Sequence, residues 1–339
     1  VHADGALYFS SAGNGGNLND GTSGVWEGDF VHSGVLVSGG ESLDFGGGEF
    51  AVTITEDAPF AFTLQWSEPN GASGVDYDLF LVDPTITTVL AASTTIQDGD
   101  DDPIEFISSS GFNDTGNRLI VTRSVGEADR FVHLNSIRGR LSIATEGQTY
   151  GHPAARGAIG VAATDARFPG GAGGVFDASD VVQAFSSDGP RRVFFEADGS
   201  PITPGDLSGT GGELRDKPDL TGGDCVDTAT PGFSTFCGTS AAAPHLAAIA
   251  ALLLEQGATP FAVNQALRGT AVDIEATGAD RDSGVGIVLA DAAAALLAGA
   301  DCSDGIDNDG DGFVDFPSDP GCADTSVDLE DPQCQDGID

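Results

Sequence analysis

Two kinds of hydrophobic pattern divide this chain. Between about Gly34 and Ile143, apolar and polar residues alternate at period two in six short runs: 49–55, 60–66, 77–82, 104–107, 118–122 and 131–134. Asp, Asn, Gly and Pro fill the gaps between them. Alternation of this length, bounded by turn formers, predicts half-buried strands of an antiparallel sandwich or jelly roll. Outside that stretch the pattern changes. Residues 6–10 form a short strand that runs into a glycine turn, Ser-Ala-Gly-Asn-Gly-Gly-Asn at 11–17. Residues 158–163 are a continuous apolar run, the form of a buried strand. Residues 241–255 predict a buried helix, 260–268 an amphipathic one and 290–297 a last short one. The expected class is therefore α/β with an inserted β-domain, followed by an acidic tail from Asp301.

Composition narrows the partners. Of 339 residues, 53 are acidic and 13 basic, a net charge of -40. Such a field repels nucleic acid and anionic membranes, so neither is expected as a partner. It suits a saline or calcium-containing surrounding that screens self-repulsion. No run is long and apolar enough to span a bilayer. The 49 glycines and five cysteines, with no Cys-x-x-Cys, point to a loop-rich secreted protein with disulfides rather than a zinc or redox centre. With no methionine and Val1 at the start, the chain reads as a piece of a longer protein.

Candidate chemistry concentrates in residues 236–245, Phe-Cys-Gly-Thr-Ser-Ala-Ala-Ala-Pro-His, which lead directly into an apolar helix. This places the Ser240 hydroxyl at a helix N-terminus, where free N–H groups and the helix dipole favour negative charge. A serine there is equally a helix cap. In the β-domain, Asp76 and Asp78 share one face of a strand, with Asp83 beyond, and could hold a calcium ion or simply line a solvated edge.

Other segments accompany Ser240 in order: Ala-Gly-Asn14-Gly, His152-Pro with 158–164, Phe-Ser-Ser-Asp-Gly-Pro at 185–190, and Lys217-Pro-Asp-Leu220. Together they resemble the subtilisin-like serine proteases, the subtilase (peptidase S8) family, over roughly 1–33 and 150–300. The resemblance implies a parallel-sheet core, incomplete at its N-terminus, with 34–149 as an inserted β-sandwich and 301–339 as a calcium-loop tail. It implies Ser240 as the acylated nucleophile and Asn14 as side-chain donor to the oxyanion, beside the Ser240 N–H. His245, five residues along the helix, points away from the hydroxyl and is structural. Residues 185–190 and 217–220 are framework loops. Position 188, often basic in the family, is Asp here, in keeping with the acidic drift of the chain. Cys225 and Cys237 could close a loop beside the nucleophile.

A serine nucleophile needs a base and an orienting acid. His2, His32, His133 and His152 do not stand in the family's order, so the triad Asp and His are expected upstream of residue 1. In the tail, Asp307, Asp309, Asp311 and Asp315 fall at positions 1, 3, 5 and 9 of a calcium loop, with the Phe313 carbonyl at position 7 and the bend at Gly312 or Gly310. This resembles calcium-loop repeats of secreted bacterial and thrombospondin-like proteins; an acidic linker is the simpler alternative. Asp-Gly-Ile-Asp recurs at 336–339. The expectation is a secreted, extracellular bacterial serine endopeptidase acting on a protein or peptide substrate, with structural calcium and no organic cofactor. The β-domain would be a spacer or contact a polymer or surface. The alternative is a non-catalytic, calcium-dependent binding or surface-attachment protein on a degenerate subtilase scaffold.

Overall fold

The computed structural model of the chain describes residues 5–109, 113–171 and 173–297, and from the tail 305–307, 312–314, 317–319 and 322. Packing divides the chain into two units. One comprises Val1–Ala12, Gly151–Gln183 and Lys217–Asp339; the other comprises Gly13–Tyr150 and Ala184–Asp216.

The first unit is built on three parallel strands in the order Tyr8–Ser11, Ala158–Asp165, Leu220–Asp224. The middle strand is buried along nearly its whole length, which is why it reads as an unbroken apolar run. Helix α1, Thr239–Glu255, packs against all three strands. Ala242, Leu246, Ala250 and Leu253 are buried at helical spacing, and the small alanines let the helix lie close to the sheet. Gly222 completes that fit, because a Cβ there would lie 2.5 Å from Leu246 Cδ1 and 3.0 Å from the Ala242 carbonyl oxygen. Helix α2, Pro260–Gly269, starts where Thr259 accepts the Ala262 N–H at 3.2 Å and Pro260 occupies a position that needs no N–H. Helix α3 runs Ala290–Leu297 and packs with α2.

At the amino end of this sheet, buried Lys217 donates to the Ala158 carbonyl and to Asp219, both at 2.6 Å. Asp219 also accepts the Gly160 N–H at 2.7 Å and Arg268 of α2 at 2.7 Å. Two strands and a helix are thus tied at one carboxylate. The expected loop 217–220 is this tie, and it opens a strand, Leu220–Asp224, that pattern alone does not reveal.

The second unit is a β-sandwich, as the alternation predicts. One antiparallel sheet has the order Val25–Asp29, Phe131–Ser136, Ala61–Trp66, Ile104–Ser108. The other is organised around Arg118–Arg123, which pairs with Gly40–Leu43, Val52–Glu56 and Tyr77–Val82. Trp26, Phe62, Leu64, Trp66, Val132 and Leu134 from the first sheet meet Tyr77, Leu79, Leu81, Leu119 and Val121 from the second in one core. Each such side chain contributes roughly 1.5–3 kcal/mol by burial. Trp26 and Trp66 satisfy their indole N–H groups on the Phe45 carbonyl and the Ser73 hydroxyl.

The packing boundary runs elsewhere than the motif order suggests. Val25–Asp29 is an edge strand of the sandwich, with Trp26 opposite Leu134, so residues 13–33 pack there rather than with the parallel sheet. Residues 184–216 do so as well. Thr22 donates to the Ala184 carbonyl at 2.6 Å, and the Phe131 N–H reaches Leu207 at 3.1 Å.

Candidate active site

Ser240 is the second residue of α1 and is exposed. The residue ahead of the helix is Gly238, at φ 133°, so no side chain caps the helix and Ser240 is not its cap. By helix geometry the Ser240 N–H lies among the first donors, which have no acceptor within the helix. Pro244, inside α1, has no N–H to return to the Ser240 carbonyl.

Three contacts fix this helix end on the carboxyl end of its strand. The Gly238 N–H donates to Asp224 at 2.7 Å. His245 donates Nδ1–H to the Gly223 carbonyl at 2.8 Å, which engages the ring with the strand. A disulfide joins Cys225 to Cys237 and closes the intervening loop, where Val226 and Phe236 also pair. Asp224 is fully buried, and burial pushes its carboxyl above the usual range while the Gly238 and Gln183 hydrogen bonds pull the other way. Sequence reasoning did not single it out, since an aspartate after Gly-Gly reads as a turn.

Asn14 lies in a bend three residues beyond the first parallel strand and belongs to the sandwich unit by packing. Both its neighbours bond to Ser187: the Ser187 N–H donates to the Gly13 carbonyl and the Gly15 N–H donates to Ser187 Oγ, each at 3.0 Å. The Gly16 N–H donates to the Phe185 carbonyl at 2.9 Å. Asp188 follows Ser187 directly. It is fully buried and accepts the N–H groups of Leu18 at 2.9 Å, Gly147 at 3.2 Å and Gln148 at 3.1 Å. Three backbone donors converge on this carboxylate, a setting that favours a charged acceptor.

The remaining expected sites are less complete. Asp76 precedes Tyr77–Val82 and accepts from Ser124 Oγ at 2.8 Å and the Gln97 N–H at 3.3 Å. Asp78 accepts from Thr122 at 3.3 Å, and burial, then Asp76 and Glu105, push its carboxyl up to about 6. Asp83 is a loop tie, accepting the Thr87 and Thr88 N–H groups at 2.7 Å. Of the tail loop, Asp309, Asp311 and Asp315 lie outside the described residues. Asp307 accepts the Gly312 N–H at 2.9 Å, and Gly312 has φ 96°. Among the described residues, two further groups of possible ligands stand close together. Asp98, Asp100 and Asp101 form one; Asp224, Cys225 and Cys237 form the other, with both sulfurs engaged in the disulfide.

The sequence model of the subtilase family matches residues 87–286, more than half of the chain, a span that contains Ser240, Asp188 and Asp224. The chain belongs to the subtilase family. Asn14 lies before the matched span. Among solved structures, the CspB protease of Clostridium perfringens is similar at 20% identity and a TM-score of 0.46. That similarity covers 85% of this chain and 58% of the other, so the chain spans less than two thirds of its length. No curated protein matches the chain. Among the described residues no helix is long and apolar enough to cross a membrane.

Proposed function

We propose that this subtilase chain carries the nucleophile and oxyanion donors of a secreted serine endopeptidase. The observation that carries the reading is an exposed serine in the first turn of a helix buried along one face, within the span matched by the family. Ser240 Oγ attacks the peptide carbonyl and passes its proton to a histidine expected, with the triad aspartate, upstream of residue 1. The tetrahedral oxyanion takes hydrogen bonds from the Ser240 N–H and from the Asn14 side chain. An amide suits this place because it donates without surrendering a proton to the alkoxide. Collapse expels the amine, protonated by the same histidine, and leaves an ester on Ser240 that water hydrolyses. Losing one oxyanion donor costs roughly 3–4 kcal/mol of transition-state stabilisation.

In the same reading, residues 1–33 and 150–300 are the functional protease part, 34–149 the insertion and 301–339 a calcium-binding tail. The Asp307 turn supports the last point, since its carboxylate at loop position 1 receives the N–H of a left-handed glycine at position 6. Asp76 and Asp78 fit a second cation in one respect: their crowded carboxylates would be relieved by a positive charge. The sandwich unit also has a groove of about 490 Å³ lined by Pro69, Arg130, Phe195, Pro201 and Leu207, suited to a polymer or substrate segment.

Fluorophosphonate labelling of the full-length protein tests the reading. Labelling at Ser240, abolished by Ser240→Ala and accompanied by peptide hydrolysis, is the expected result. A full-length protein that neither labels nor cleaves would be a non-catalytic binding protein on a subtilase scaffold.

A further inference from the structure

Asn14 sits in a bend, outside any strand or helix that could fix it. What fixes the turn is Ser187. Its N–H donates to the carbonyl of the residue before Asn14, and its hydroxyl oxygen accepts the N–H of the residue after it, both at 3.0 Å. The peptide groups flanking Asn14 are therefore both held by one residue, and the backbone hydroxyl contact spans 172 positions of sequence.

The turn has no slack in which to move. Gly13 has φ 123°, and a Cβ there would lie 2.6 Å from Ser187 Oγ. A Cβ on Gly15 would lie 2.0 Å from Gln148 Nε2. Ser187 is itself buried at 1% exposure. The segment that carries it is anchored next door, where Asp188 accepts three backbone N–H groups from Leu18, Gly147 and Gln148.

We infer that Ser187 is the positioning residue for the Asn14 amide, its hydroxyl setting the turn from which Asn14 reaches a developing oxyanion. This rests on the reading of Asn14 as an oxyanion donor. Such a donor works only within about 2.7–3.1 Å of the oxyanion, and displacement by about 1 Å costs about 100-fold in rate. Removing the Ser187 hydroxyl releases the Gly15 side of the turn and leaves the Gly13 side tethered through the Ser187 backbone. The loss falls on the transition state, since the oxyanion forms only there.

The test is a double-mutant cycle on peptide hydrolysis by the full-length protein. Ser187→Ala is expected to lower kcat about 10-fold with KM within about twofold, and Asn14→Ala to lower kcat by about 100-fold or more. In the Asn14→Ala background, Ser187→Ala is expected to cost nothing further. Ser187→Cys, nearly the same size with a weaker acceptor, should fall between wild type and Ser187→Ala, and it serves as the probe if the alanine variant does not fold. The inference is overturned if Ser187→Ala costs the same factor with and without Asn14, or if it raises KM and leaves kcat unchanged. If Asn14→Ala itself leaves kcat intact, the reading of Asn14 fails first and this inference with it.

Discussion

Asp224 accepts the Gly238 N–H at 2.7 Å, joining the last residue of a parallel strand to the residue that precedes the helix bearing Ser240. The bond is buried, so losing its acceptor strands a donor away from water. Asp224→Ala is expected to destabilise the protein by about 1–3 kcal/mol and to slow Ser240 labelling. Asp224→Asn keeps an acceptor oxygen and should lose less of both. Urea denaturation and labelling rates check this; equal losses in the two variants would show that the charge, not the hydrogen bond, matters.

The Cys225–Cys237 link closes a loop of sequence separation 12 directly ahead of that helix. By chain entropy such a closure stabilises by about 3 kcal/mol. Replacing both cysteines with serine should lower the urea midpoint by a corresponding amount. Dithiothreitol should lower the wild-type midpoint by at least as much, since Cys322 is disulfide-bonded as well.

Gly222 lies where α1 presses on its strand. Gly222→Ala is expected to cost about 1–3 kcal/mol, because the Ala242 backbone cannot yield as a flexible side chain would. Gly269→Ala, at a site with nothing within 4 Å, is the control. Thermal melts that ranked the two substitutions equally would contradict the close-packing account.

His133 is buried opposite Glu27 in the sheet, with its Nδ1 2.7 Å from Glu27 and 2.6 Å from Arg191. Tyr150 packs beside the ring. Burial, then the Arg191 charge, hold its pKa below the ordinary histidine value of 6.5. The unfolded chain therefore takes up a proton at a higher pH than the folded one. The stabilising effect is complete above about pH 6.5 and is lost as pH falls toward the folded value, at up to about 1.4 kcal/mol per pH unit. Stability measured from pH 8 down to pH 5 should decline for this reason, and His133→Gln should flatten the decline.

Pattern reading works well where one physical demand acts on many consecutive residues. The alternation at 77–82 coincides with the strand Tyr77–Val82, and the apolar run at 241–255 lies within α1. It fails where a single close approach decides. Leu220–Asp224 reads as a loop because Thr-Gly-Gly carries no hydrophobic signal, yet those glycines are there so that α1 and Phe176 can pack against the strand. Val25–Asp29 is likewise short and polar at one end. The same holds at the site. Ser240 and Asn14 announce themselves by motif, whereas Asp224, Ser187 and Asp188 act on residues far away in sequence, through partners that no local pattern displays.

The tie at Lys217 and Asp219 stands at the amino ends of the parallel strands, and Ser240 at a carboxyl end. Ligand sites of open α/β sheets lie at carboxyl ends, so the two edges of this small sheet carry separate duties. Damage at one edge is a folding defect: breaking the buried Lys217–Asp219 pair by removing one partner costs about 3–5 kcal/mol. At the other edge Asp224 and the Cys225–Cys237 link still serve the fold, whereas Ser240 is exposed, so loss of its hydroxyl alone should leave the fold intact. On the proposed reading of Ser240, natural variants should therefore fall into two groups that no activity assay alone can separate, those that never accumulate and those that accumulate intact and inert.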